Sequence, residues 1–393
     1  MKDYEPMKMK EVYFTGIRRV LEKANKLELD GKNIIHFEVG QPDFQTPVHI
    51  REAAKDALDK GMTRYTSNYG FPALRNAIAE KLKNINNMIV DPENEIMVTS
   101  GGQEAVAATI IALLDVGDEV LISDPGYSPY ESLIKIASAK PIFVPLKEED
   151  NFNFDLEALE KAITPKTKML ILNTPSNPTG TIMDRKHLEK LTGICEKYDF
   201  LVVCDEAYEQ VIYDGYEHVS FASLPGMKER TISIYSFSKT YSMCGWRIGY
   251  LVASKPLINI IVRVHQNIIL SATSFAQMGA LSALLGPQVE KDKMCLEFDR
   301  RRKLMMDGFE EIGIPFNKPQ AGFYLFPNLS EFNMTSHEFA DYLLENYGVA
   351  LVPGVEFGKS GEYHVRISYA TSYENCKEGL ERIKQCVNDL RSK

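Results

Sequence analysis

Lys239 stands in the run Ser236-Phe237-Ser238-Lys239-Thr240, behind an apolar stretch and among hydroxyls rather than in a charged surface run. Taken alone it is an ordinary loop lysine, and most lysines are solvated. Three other features change its context. Ser100-Gly101-Gly102-Gln103 follows a short apolar run and opens a helical stretch over 104–114, so its glycines can expose backbone N–H groups to an anion at a helix N-terminus. Asp205 closes the apolar run 201–204, where an unpaired carboxylate is costly and wants a cationic partner. Tyr208 follows three residues later as a hydroxyl donor. Each has a plain structural reading: turn geometry for the glycines, a helix N-cap for the aspartate, packing for the tyrosine. Together they match the needs of pyridoxal phosphate, which takes a lysine for its aldehyde, a phosphate cradle, a carboxylate at its pyridine nitrogen and a donor near its phenolic oxygen.

The strongest local signal is Asn173-Thr174-Pro175-Ser176-Asn177-Pro178-Thr179-Gly180, in which two Asn and two Pro fix both backbone shape and side-chain donors. The elements around these residues must position them. Between about residues 99 and 254, short apolar runs alternate with helical stretches, the pattern of parallel strands joined by crossover helices. Strands are predicted at 96–99, 119–123, 169–173, 201–205, 232–236 and 248–253, several of them apolar throughout, as strands covered on both faces must be. Ligands in such sheets collect beyond the carboxyl ends of the strands, and four runs end there in Ser100, Asn173, Asp205 and Ser236. After Gly286-Pro287 the apolar positions fit a long helix to Glu311. Strand-like pieces at 323–326, 349–352 and 363–368 then alternate with helical stretches, which predicts a smaller α+β domain.

These blocks resemble a known family. Residues 173–180, Asp205-Glu206-Ala207-Tyr208 and the run 236–250 (SFSKTYSMCGWRIGY) look like the signature blocks of fold-type-I, class I/II aminotransferases related to aspartate aminotransferase. Spacing agrees: 28 positions from Asn177 to Asp205 (205 − 177), 34 more to Lys239 (239 − 205), and 8 to Arg247 (247 − 239). The likeness runs from Gly40-Gln41-Pro42-Asp43-Phe44 to Val365-Arg366-Ile367-Ser368, nearly the whole chain.

The resemblance implies an α/β fold of type I. A large domain, 46–287, would hold a mainly parallel seven-stranded sheet flanked by helices, and a small α+β domain would comprise 1–45 and 288–393. It implies pyridoxal 5′-phosphate held as a Schiff base on Lys239, which also shuttles the proton, with Asp205 at the pyridine nitrogen. Asn177 and Tyr208 would meet the phenolic oxygen and Tyr127 would stack on the ring. Gly101, Gly102, Gln103, Ser236, Ser238 and Arg247 would hold the phosphate. Arg366 would clamp the substrate carboxylate with Gly40 and Asn177 beside it. Tyr65 would reach a neighbouring subunit's phosphate, which implies a homodimer with shared sites. Two departures stand out: Cys244 where relatives often carry Thr, and Ala321-Gly322-Phe323-Tyr324 in place of Gly-Ala-Phe-Tyr. No counterpart is visible of the extra arginine that selects dicarboxylic side chains. The activity implied is a ping-pong transfer of an amino group from an L-amino acid to a 2-oxo acid. The rivals are a carbon–sulfur β-lyase on the same scaffold, against which 173–180 speaks, and a non-catalytic sensor, which would need an N-terminal extension.

Composition narrows the rest. With 45 basic and 54 acidic residues among 393, the net charge of −9 leaves no electrostatic footprint for nucleic acid. The longest apolar stretch, 105–114, is about half the roughly 20 residues needed to cross a bilayer, and the N-terminus lacks a signal-peptide pattern. Six scattered cysteines without Cys-x-x-Cys suggest neither disulfides nor zinc, and a cytoplasmic setting fits. The seven histidines are dispersed, and no His-Glu-x-x-His, Gly-x-Ser-x-Gly or Walker loop occurs, so no metal is expected.

Overall fold

The computed structural model describes residues 4–12 and 14–392; Met1, Lys2, Asp3, Tyr13 and Lys393, which the sequence assigns to the small domain, lie outside the described residues. In chain order the strands are β1 (Ile35–His36), β2 (Ile96–Thr99), β3 (Glu119–Asp124), β4 (Lys140–Lys147), β5 (Asn153–Phe154), β6 (Thr167–Asn173), β7 (Leu201–Asp205), β8 (Thr231–Ser236), β9 (Gly249–Val252), β10 (Tyr324–Leu325), β11 (Val349–Ala350), β12 (Val352–Pro353) and β13 (Val365–Ser368). Eight of them form one sheet in the order β2-β9-β8-β7-β6-β3-β4-β5. Pairing is parallel from β8 through β7, β6 and β3 to β4, while β9 runs against both its neighbours and β5 runs against β4.

The expected seven strands are therefore eight. The addition is β5, whose Phe154 packs into the same buried cluster as Leu121 and Val144 and so draws two residues onto the edge of β4. All six strands predicted in this region are present to within two residues. β4, which sequence reading did not single out, carries lysine at both ends and proline at 141 and 145, a composition that hides an apolar run.

Helices cover both faces. The apolar helix Gly102–Leu113 lies under the sheet with Ala105, Val106, Ala108 and Ile110 against Ile258 and Ile261 of the helix Lys255–Ile268. The opposite face packs on Leu188, Leu191 and Cys195 of the helix Arg185–Tyr198. Because β2, β6, β7 and β8 run in one direction, Ser100, Asn173, Asp205 and Ser236 come to one edge, with Asn173 directly opposite Asp205 in the register. Closing that edge are three elements from the ends of the chain. β10, β13 and β12 form a three-stranded antiparallel sheet, β1 pairs in parallel with β11, and the helix Val289–Glu311 runs beside them. Phe37, Phe298, Phe323, Leu343, Ile367 and Ile383 share the core of this part.

Candidate active site

After β2 the chain must turn at once into a helix, and Gly101 does so at φ +81°, ψ 168°, a conformation nearly closed to other residues. A Cβ at Gly101 would lie 2.6 Å from a terminal nitrogen of Arg247. The guanidinium thus rests against bare backbone at the N-terminus of the helix Gly102–Leu113, and Gly102 and Gln103 face the same space. Arg247 itself follows the turn Cys244–Trp246 with φ +51°, and one of its nitrogens donates to the Cys244 carbonyl at 2.9 Å. The chemistry of this corner suits an anion: backbone amides, the positive end of a helix dipole and a guanidinium.

Ser236 ends β8, and its hydroxyl accepts from the Ser238 amide at 3.2 Å, capping the single turn Phe237–Thr240 that carries Lys239. The Lys239 amine donates to the Gly40 carbonyl at 2.6 Å, lies 3.9 Å from Cys244 Sγ and sits over the Phe323 ring at 5.8 Å. Gly40 must be glycine, since a Cβ there would lie 2.1 Å from the Tyr324 hydroxyl.

On β7, Asp205 receives the Ala207 amide on Oδ1 at 3.1 Å and the Tyr130 hydroxyl on Oδ2 at 2.7 Å. Burial pushes this carboxyl above the ordinary carboxylate range, against the opposing pull of the Tyr130 hydrogen bond. No cationic side chain bonds it among the described residues.

The loop 173–180 folds back on the sheet. Asn173 Oδ1 accepts from the Asn177 amide at 2.8 Å, and Asn177 Oδ1 accepts from Arg366 at 3.2 Å. Arg366 projects from β13, is 1% exposed, donates also to the Glu38 carbonyl and stacks over Tyr324 at 4.6 Å. The Tyr208 hydroxyl lies 2.7 Å from that of Tyr324, and burial holds the Tyr208 phenol well above its usual range. The Tyr127 hydroxyl is 3.4 Å from Gln103 Oε1, and burial pushes it up to about 12.

Twelve of the fourteen residues picked from the sequence line one cavity of about 270 Å³: Gly40, Gly102, Gln103, Tyr127, Asn177, Asp205, Tyr208, Ser236, Ser238, Lys239, Arg247 and Arg366. Gly101 touches it through Arg247. Tyr65 does not reach it and is 82% exposed. Sequence reading missed Ile17 and above all Tyr130, whereas Tyr324 belongs to the string 321–324 already singled out; Tyr130 stands three residues after Tyr127, a spacing that could have suggested a shared direction. A roomier cavity of about 450 Å³ lies across Tyr127 and Tyr130, but it contains none of Lys239, Asp205, Arg247 or Arg366, so chemistry rather than size identifies the site. No group of residues suited to a metal ion is present among the described residues, and none of their helices is long and apolar enough to cross a membrane.

The family model for aminotransferase class I and II matches residues 32–383. Aspartate aminotransferase of Pyrococcus abyssi is 43% identical over 362 residues, 92% of this chain and 93% of that protein. Aromatic-amino-acid aminotransferase 2 of Thermococcus litoralis is 39% identical, over 95% of this chain and 96% of its own length. The crystal structure of the aromatic aminotransferase from Pyrococcus horikoshii superposes with a TM-score of 0.90 at 42% identity, covering 94% of this chain and 99% of that one. Aspartate aminotransferase from Thermus thermophilus with maleate gives 0.93 at 35% identity, covering 98% and 100%. The chain belongs to the class I and II aminotransferases and is a pyridoxal-phosphate-dependent transaminase.

Proposed function

We propose that Lys239 is the covalent anchor of the cofactor and the group that moves the proton, with Asp205, Arg247 and Arg366 fixing the three ends of the reacting system. The observation that carries this reading is the convergence of one amine, one buried carboxylate and two guanidinium groups on a single cavity. The residues fit pyridoxal phosphate. Asp205 is a buried carboxyl whose bonded partners are neutral, the environment that a pyridinium would complete. The space between Arg247 and the helix N-terminus exists only because residue 101 has no Cβ. Gly101, Gly102, Gln103, Ser236, Ser238 and Arg247 would hold the phosphate, Asn177 and Tyr208 the phenolic oxygen, and Tyr127 the ring face. When bound, the cofactor supplies an electron sink for the charge left on the substrate α-carbon.

The chain's own residues do the rest. Arg366, already fixed by Glu38 and Asn177, offers its remaining donors to the substrate carboxylate, beside Gly40 and Asn177. That orients the α-carbon towards the Lys239 amine, which takes the α-proton and returns it on the other side of the transfer. Ile17, Tyr127 and Tyr324 narrow the cavity and exclude water. Among the described residues the cations in its wall are Lys239, Arg247 and Arg366, each with a role in the proposed site. Of the side chains in the relatives' names, aromatic ones therefore suit the wall better than a second carboxylate.

The remaining features belong to the same reading. A division into 46–287 and 1–45 with 288–393 suits the separate cores and puts the cavity between them. A homodimer suits Tyr65, which is largely exposed, lies outside the lining of its own chain's cavity and would complete a partner's. Six cysteines, none in a disulfide among the described residues, suit the cytoplasm. The test is a panel of amino acids added to the loaded enzyme without any oxo acid. 2-Oxo acid should appear in proportion to enzyme, most readily from aromatic substrates. Catalytic release of pyruvate and ammonia from a sulfur amino acid would instead identify a lyase.

A further inference from the structure

The larger cavity, of about 450 Å³, shares Tyr127 with the catalytic one and lies between the end of β3, the helix Pro129–Ile136 and the loop 355–359. Aromatic rings line it: Tyr127 and Tyr130, edge-on to each other with centroids 5.3 Å apart, Phe143 from β4 and Phe357 from the loop. A space of roughly 300–1,000 Å³ with apolar walls and a few polar groups is the usual form of a small-molecule site.

Its charge is the reverse of its neighbour's. Among the described residues the lining holds the carboxylates Glu11, Asp124, Glu131 and Glu356 against one ammonium, Lys359, whereas three cations line the catalytic cavity. Glu131 is answered by Lys135 at 2.7 Å and Glu356 by Arg19 at 2.6 Å. Asp124, at the end of β3 and 8% exposed, has no cation bonded to it among the described residues. The Ser360 amide donates to its Oδ1 at 2.9 Å, and a Cβ on Gly358 would lie 2.1 Å from that oxygen, so backbone closes round Oδ1 while the carboxyl lines the cavity. Burial pushes this carboxyl above the ordinary range, against the pull of the Ser360 bond. A buried carboxyl held by neutral donors is completed by a cation.

We propose that this cavity is a second binding site, for an organic ammonium carried on an aromatic body, with the charge on Asp124 and the ring among Tyr127, Tyr130, Phe143 and Phe357. The walls take the ring by burial and edge-to-face contact, and they favour the ammonium through their π-faces. An arylalkylamine fits better than an amino acid, because no guanidinium lines the cavity to receive an α-carboxylate, which Glu131 and Glu356 would repel. Tyr127 is the wall common to both cavities, so a molecule bound here touches a side chain of the catalytic one. The inference stands on the cavity and on Asp124 and goes beyond the assignment of the catalytic residues.

The experiment is calorimetric titration of the cofactor-loaded full chain with N,N-dimethylphenethylamine, a tertiary amine that keeps the charge and the N–H but cannot form a Schiff base. The neutral 3-phenylpropan-1-ol is titrated beside it. Wild type should bind the amine about 10- to 100-fold more tightly than the alcohol, the span expected of a hydrogen bond between charged groups. Asp124→Asn, which keeps an acceptor for the Ser360 amide, should remove that preference and leave the alcohol unchanged. Asp205→Asn should retain it. A wild type that binds the amine no better than the alcohol would overturn the proposal, and this comparison stands even if Asp124→Asn does not fold. A preference kept in Asp124→Asn and lost in Asp205→Asn would place the amine in the catalytic cavity and overturn it equally. Phe143→Ala should weaken both probes, and undiminished binding of both would remove the aromatic wall from the site.

Discussion

Arg247 and Arg366 face the same cavity from opposite kinds of structure. Arg247 is exposed, sits on a turn in left-handed backbone and makes one bond to a carbonyl three residues away. Arg366 lies in the middle of a buried strand opposite Val352, stacks against Tyr324 and Phe357, and is held by Asn177 and the Glu38 carbonyl. A guanidinium fixed and desolvated in this way has its geometry set before any ligand arrives, and it selects a planar anion by shape. One on a turn contributes charge to a site whose shape comes from helix amides. The contrast suits the two anions of the proposed site: a carboxylate that must be oriented for proton transfer, and a phosphate that need only be held.

The difference can be broken at either end. Arg366→Ala should lower kcat/KM by roughly 100- to 1,000-fold for every amino-acid substrate, because two charge-assisted bonds to the common α-carboxylate are lost. Arg366→Lys should recover little of this, since a point charge cannot replace the fork. Equal loss across a substrate panel supports the assignment, and an unchanged KM would remove Arg366 from the carboxylate site. Arg247→Ala should weaken cofactor binding about 10- to 100-fold while leaving substrate KM near normal at saturating cofactor. Cofactor affinity should also become less sensitive to salt as the charge is removed. A substrate defect that persists at saturating cofactor would contradict the division of labour.

The smallest expected effect lies behind Arg366. His36 bonds the buried Glu38 at 2.6 Å and Glu28 at 3.2 Å, and the Glu38 hydrogen bond raises the imidazole to about 9. A histidine whose folded value is raised contributes stability that is complete below about pH 6.5 and is lost as pH climbs through 9. Because the ring is partly open to water, that contribution is about 1–2 kcal/mol rather than the full value of the shift. Urea unfolding at pH 6 and pH 9.5 should show His36→Gln less stable than wild type at the lower pH and nearly equal at the higher. Parallel pH curves for the two proteins would dismiss the pair.

Much of this site was legible in the sequence because its residues fall where local rules are strong. Asp205 and Ser236 end apolar strands, Gly101 sits at a turn that demands positive φ, and Pro175 and Pro178 fix the loop that presents Asn177. What escaped depends on contacts between distant segments. Tyr130 was passed over, because nothing local distinguishes a buried tyrosine that bonds Asp205 from one that merely fills space. Ile17 reaches the cavity only because the helix Gly16–Leu29 docks beside β11 and β12. β4 was hidden by its lysines and prolines, and β5 is too short for any pattern to show. The Lys239 amine lying on the Gly40 carbonyl joins positions 199 residues apart, beyond any reading of spacing.

The most direct test of the account is a single-turnover comparison of wild type and Lys239→Ala, each loaded with cofactor and mixed with an amino acid that the wild type accepts. The account predicts a rapid loss of visible absorbance and one equivalent of 2-oxo acid from the wild type, with neither from the variant on the same timescale. Methylamine supplied in solution should restore part of the rate, because it replaces the missing amine. A Lys239→Ala protein that forms the oxo acid at a near-normal rate would contradict the assignment of Lys239 as the group that moves the proton.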